Sequence, residues 1–123
     1  MKKRDFTDYI QDILDSIMEV KEFTQGMDFE GFVGDKKTIN AVTRSLEVIG
    51  EAGKKIPDSL REKYPQIPWK RMAGMRDKLI HEYWSIDLEI VWEVITNELP
   101  PIEPLIQKVL NDHREVEEIL KEE

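Results

Sequence analysis

The chain has 123 residues, 40% hydrophobic and 36% charged, with a formal net charge of −8 and no cysteine. That length suits a single domain, residues 1–123, able to bury roughly two-thirds of the surface its unfolded chain exposes. The lack of cysteine excludes disulfides and thiolate metal sites and suits a reducing compartment, and the acidic excess argues against an anionic partner for the molecule as a whole. The opening stretch MKKRDFTDYIQD has basic residues with no apolar run behind them, so it does not read as a signal peptide. No apolar run approaches membrane-spanning length, and a cytoplasmic protein without membrane contact is expected.

Helical periodicity runs throughout. From Asp5 to Phe23, Phe6, Tyr9, Ile10, Ile13, Ile17 and Val20 form an apolar stripe, with Asp8, Asp12, Asp15 and Glu19 opposite. TQGMDFEGFVGD, with three glycines, breaks this helix. Asp35 is a natural N-cap for a second helix to about Lys55, striped by Ile39, Val42, Leu46 and Ile49. Gly50 and Gly53 continue that stripe; glycine inside a helix costs ~1 kcal/mol against alanine, so the pair suggests a close helix crossing. A short helical turn after Pro57-Asp58 should end before Pro65. Pro68 suits the first position of a helix running to Tyr83. Asp87 caps a fourth helix striped by Leu88, Val91, Trp92, Ile95 and Leu99. Pro100-Pro101 should end it and start a fifth, with Ile102, Leu105, Ile106, Val109, His113, Val116 and Leu120 on one face. The acidic end EVEEILKEE reads as a fraying helix terminus. No segment alternates long enough to predict a strand, and short connections between antiparallel neighbours predict an all-α, up-and-down bundle of four to five helices.

One helix carries an anomaly. Wound at 100° per residue, Trp69, Met72, Ala73, Arg76, Leu79, Ile80 and Tyr83 share one stripe, and Arg76 sits at its centre. A guanidinium in a closed core needs a partner. It either pairs with Glu47 or Glu51 on the second helix, or faces a wet cleft where it awaits a phosphate. The region around it is basic: from Lys54 to Lys78 there are eight basic residues against three acidic ones. That run is either a solvated face or an anion-attracting one. His81 lies five positions beyond Arg76, 140° around an ideal helix, so the two converge on one phosphate only through a frayed helix end or across a dimer axis. Asp77, at i−4 from His81, is placed to hydrogen-bond and orient the imidazole. His113 reads instead as a core-edge histidine satisfied by a backbone carbonyl. Two histidines without cysteine make a zinc site a poor expectation, and no metal or other cofactor is called for. There is no glycine-rich phosphate loop.

RDKLIHEY has the form R-x4-H-x-Y. It follows SLEVIGEAGKKIP and YPQIPWKRMAGM and precedes SIDLEIVWEVI. That succession resembles the HepT family of HEPN-domain toxins over most of the chain. The resemblance implies an all-α bundle that dimerises with its motif helices facing across a cleft, which would place Arg76 in that cleft rather than in a closed core. It also implies metal-independent RNA cleavage to a 2′,3′-cyclic phosphate, with no DNA as target. Arg76 would hold the scissile phosphate and His81 would act as general base or acid. The implied partner is MntA, a minimal nucleotidyltransferase antitoxin that attaches AMP to the motif tyrosine, here Tyr83. The chain departs from the family pattern at Asp77, commonly Asn, and an acidic side chain there weakens local attraction for RNA. Two other readings stand beside the toxin: a non-catalytic HEPN module that docks a nucleotidyltransferase, and a structural helical dimer with Arg76 paired to Glu47 or Glu51.

Overall fold

A computed structural model describes the backbone of residues 4–82 and 85–122, and their side chains except those of 76, 78, 80–82, 85 and 115–122. Three long helices carry the architecture: α1 (Phe6–Phe23), α3 (Lys36–Lys54) and α8 (Leu99–Glu122). Between them come the short helices α2 (Phe29–Val33), α4 (Asp58–Lys63), α5 (Trp69–Ala73), α6 (Met75–Leu79) and α7 (Leu88–Glu93), with a two-stranded ribbon of β1 (Ile80–Glu82) and β2 (Ser85–Ile86) before α7. Helix α1 packs on α3 and α8, and α5 and α6 pack on α3. Phe6 meets His113, Gln11 meets Arg114 and Lys21 meets Glu103, so α1 and α8 run antiparallel. The all-α bundle is what the periodicity predicts.

The helix starts are written locally. Asp5 accepts from the amides of Thr7 and Asp8, and the Asp8 carboxylate accepts from the Asp5 amide at 3.1 Å, a reciprocal capping box. Asp35 accepts from Thr38 N at 3.1 Å, and Asp87 from Ile90 N at 3.2 Å. Burial follows the stripes: Ile10, Ile13 and Ile17 from α1, Val42, Leu46 and Ile49 from α3, and Ile102, Ile106 and Val109 from α8 all lie in one core. Val116 and Leu120, expected to extend the α8 stripe, lie outside the described side chains. The helix itself continues to Glu122.

Four features differ from expectation. The glycine-rich break contains α2, capped by Asp28 on Gly31 N at 2.8 Å, and its Phe32 is fully buried against Trp92 with ring centroids 5.2 Å apart. Gly26 alone takes a positive φ, +77°, among the described residues. The helix expected from Pro68 to Tyr83 is not continuous. It is interrupted at Gly74, where the poorest non-proline helix former sits, and it ends at Leu79. Beyond that point Ile80 pairs with Ile86 and Glu82 with Ser85 in an antiparallel register with an irregularity between, and the Ile80–Ile86 pair is β-branched on both sides.

The fourth difference is at Pro100-Pro101, which does not separate two helices. Val94–Glu98 form a π-helical turn that joins α7 to α8 directly, and the Leu99 amide bonds back to Val94 O. The prolines then occupy the first turn of α8, where a missing N–H costs little. Thr96 Oγ1 donates to Trp92 O at 2.6 Å on the same stretch.

Two joints position the segment that holds the motif. A Cβ built on Gly53 would stand 3.4 Å from Ala73 N and 3.5 Å from Ala73 Cα, so α5 crosses α3 at backbone contact. Tyr64, buried after α4, donates its hydroxyl to Asp112 on α8 at 2.7 Å, and its carbonyl accepts from Trp69 Nε1 at 3.0 Å. Burial and the bond to Asp112 push the Tyr64 phenol up to about 12. The same bond, with one from Lys108, holds the Asp112 carboxyl below its ordinary value.

Gly53→Val should force α5 off α3 and cost about 1–3 kcal/mol in urea unfolding, whereas Gly53→Ala should cost far less. The Tyr64 contribution should be complete below pH ~10, where a free phenol titrates, and should fade as pH rises toward 12. Tyr64→Phe should remove the tyrosinate absorbance component near pH 12 and cost about 1 kcal/mol at neutral pH.

Candidate active site

The motif lies across the junction between α6 and β1. Arg76 is the second residue of α6 and His81 is the middle residue of β1, so a helix end and a change to extended backbone separate them. The 140° offset of a continuous helix therefore does not describe their relation. Helix α6 packs on α3 through Met75 and Leu79, 4% and 1% exposed. Trp69, Met72 and Leu79 of the expected stripe are buried. Met75, absent from that stripe, joins them because the interruption at Gly74 re-phases the helix.

The side chains of Arg76 and His81 lie outside the described ones, as does Tyr83 altogether. Asp77 is exposed in the first turn of α6. Its expected bond to His81 involves a side chain outside the described ones. Of the two carboxylates considered as mates for Arg76, Glu47 lies 3.7 Å from Arg44 and Glu51 lies 3.5 Å from Lys54. Both belong to α3, the helix on which α6 packs.

His113 matches its expected role. Its Nδ1 stands 2.8 Å from Val109 O, the geometry of an N–H donating to that carbonyl, and Phe6 meets its ring edge-on at 4.8 Å between centroids. Among the described residues no group of three or more His, Cys, Asp or Glu side chains is gathered to hold a metal ion. No described helix is long and apolar enough to cross a membrane.

Among the described residues the basic run divides into cations with structural contacts and exposed ones. Arg61 donates from Nη2 to Gly53 O at 2.7 Å and from Nε to Ile56 O at 3.1 Å, closing the C-terminal carbonyls of α3. Nothing marked it in the sequence beyond its position shortly after a helix end. Arg71, on α5, is ion-paired with Glu98 of the π turn. The Lys63 ammonium lies over the Tyr64 ring, 5.8 Å from its centroid. Lys55 and Lys70 are exposed. Beside this run, Met72, Met75, Pro68 and Gln66 on one side and Ile102 and Leu105 of α8 on the other enclose a groove of about 280 Å³ with Arg71 and Glu98 at its rim.

Residues 13–109 match the family described as Ribonuclease HepT-like. A protein of Methanocaldococcus jannaschii bearing an RNase name is 47% identical over 122 residues, covering 99% of this chain and 93% of that protein. Another RNase-named protein of the same organism is 49% identical over 115 residues, 94% of this chain and 99% of its own. A protein of Thermococcus cleftensis with a ribonuclease HepT name is 44% identical over 107 residues, 87% and 97% of the two chains. No solved structure matches the chain. With a family match across most of its length and near-complete coverage of such relatives, the chain belongs to the HepT-like ribonuclease family, an enzyme class that acts on RNA.

Proposed function

We propose that this protein is the toxin of a toxin–antitoxin pair and cuts RNA internally without a metal ion, using Arg76 and His81. The observation that carries the reading is the end of α6 at Leu79, between two residues of the R-x4-H motif in a chain of ribonuclease family. An arginine on a helix and a histidine on the following extended segment escape the fixed angular offset of one helix. Both can then address a single phosphate.

In that arrangement the 2′-hydroxyl oxygen attacks the adjacent phosphorus in line, and the bond to the 5′-oxygen breaks. His81 takes the 2′-hydroxyl proton or, when protonated, delivers one to the leaving 5′-oxygen, and water carries the other of these two transfers. Arg76 holds the non-bridging oxygens and stabilises charge that grows on them. The product is a 2′,3′-cyclic phosphate and a free 5′-hydroxyl. We place the cleft at a homodimer interface built on the motif segment, which gives the Arg76 guanidinium a wet surface rather than a dry core.

Control is assigned to Tyr83. A phenol of pKa ~10 is a poor nucleophile at neutral pH, so a partner nucleotidyltransferase of the MntA type must supply the activating base or metal. Each AMP attached brings a negative phosphate seven residues from Arg76, where it competes with RNA for the guanidinium.

Arg76→Ala and His81→Ala should each lower RNA cleavage in EDTA by at least ~10²-fold with the helical circular dichroism unchanged. His113→Ala should retain cleavage in whatever fraction stays folded, and loss of activity in a folded His113 variant would reverse the assignment of the two histidines. Chelation that stops the wild-type reaction would defeat the metal-independent mechanism. Sedimentation at micromolar concentration should show a dimer. Tyr83→Phe should keep cleaving and escape the partner, while mass spectrometry of the co-expressed wild type should find adenylate on the Tyr83 peptide.

A further inference from the structure

The groove beside α5 and the hollow next to it share a ridge. The groove is lined by Met72 and Met75, both buried, by Pro68 and Pro101, and by Ile102 and Leu105 of α8. Gln66, exposed at one end, offers an amide with two donors and an acceptor. Across Pro68 and Arg71 lies an open hollow whose charged lining residues are Arg61, Lys70 and Arg71. Glu98 is the one carboxylate among the residues lining either depression, and it is the ion partner of Arg71. That pair is half exposed on the arginine side, 50% against 27% for the glutamate, a setting in which an ion pair holds weakly and exchanges readily.

We infer that these two depressions form a subsite for one nucleotide of single-stranded RNA, with the base in the groove and its phosphate over Lys70 and Arg71. An apolar lining that includes Pro68, Pro101 and Leu105 suits the face of a nucleobase. An amide at the rim suits the hydrogen-bonding edge of a base, and a guanidinium suits the phosphate. Glu98 occupies the place of that phosphate in the free protein, and RNA displaces it from Arg71. Met75 directly precedes Arg76 in the chain, so the subsite adjoins the motif. The inference rests on RNA being the substrate and not on the roles of Arg76 and His81.

The test measures binding of fluorescent eight-nucleotide single-stranded RNAs, one for each base, to the full chain in EDTA. His81→Ala is the parent, so that the probe survives. Arg71→Ala should weaken binding of all four about tenfold, with the slope of log affinity against log salt shallower by about 0.7. Glu98→Gln should tighten binding several-fold, and Gln66→Ala should change the order of preference among the bases. If Arg71→Ala and Glu98→Gln both lower the melting temperature and leave RNA affinity unchanged, the pair is a structural tie and the subsite is refuted. If an acidic peptide competes for Arg71 and the RNAs do not, the groove serves a protein partner and the inference fails. A parent that binds none of the RNAs would overturn both this inference and the proposed function. Opposite shifts in the two variants, beside an Arg76→Ala protein that still cleaves, would keep the subsite and remove the mechanism.

Discussion

Everything around the motif hangs on the backbone contact at Gly53. With no side chain there, Ala73 of α5 comes within 3.4–3.5 Å of where a Cβ would stand. The carbonyl of the same glycine accepts the Arg61 guanidinium at 2.7 Å, which ties the α4 segment to the end of α3. One residue of α3 thus touches both α5 and the Arg61 side chain of α4. Helix α6, which follows α5 after a single residue, inherits that position and seals it with Met75 and Leu79. Tyr64 secures the other end by bonding α8 through Asp112 and the start of α5 through Trp69.

Features decided within a few residues were legible before any coordinates. Asp35 and Asp87 each cap the helix that follows because an N-cap needs only its own side chain and the next three amides. The Gly53 crossing was visible because glycine in a helical stripe has few other uses. What escaped depends on partners distant in sequence or on register. The burial of Phe32 requires Trp92, sixty residues on. The passage of Pro100 and Pro101 without a break requires the π turn before them, which no proline announces. Helix α6 ends where Ile80 pairs with Ile86, a pairing that the helical periodicity around Ile80 conceals.

The site shows the same division. The order of residues in RDKLIHEY carries the family and the identity of candidate groups, while their mutual geometry depends on where the helix stops. A helix extended through Tyr83 would hold Arg76 and His81 140° apart. The observed break changes the problem from two faces of one rod to two sides of a corner. Charge follows a parallel logic. The molecule is acidic overall, and its local basic run is partly consumed by structural duties at Arg61 and Arg71. Attraction for a polyanion then rests on the few cations that remain exposed and on those held by exchangeable pairs.

RNA cleavage by attack of the 2′-oxygen is tested most directly by the chemistry of the ends it leaves. Purified protein incubated with RNA in EDTA should yield fragments whose mass corresponds to a 2′,3′-cyclic phosphate at one end and a free 5′-hydroxyl at the other. An RNA with 2′-deoxyribose at the cut position should resist. Fragments carrying a 5′-phosphate and a free 3′-hydroxyl, or equal cutting of the deoxy-substituted strand, would contradict the assignment of Arg76 and His81 to a transesterification.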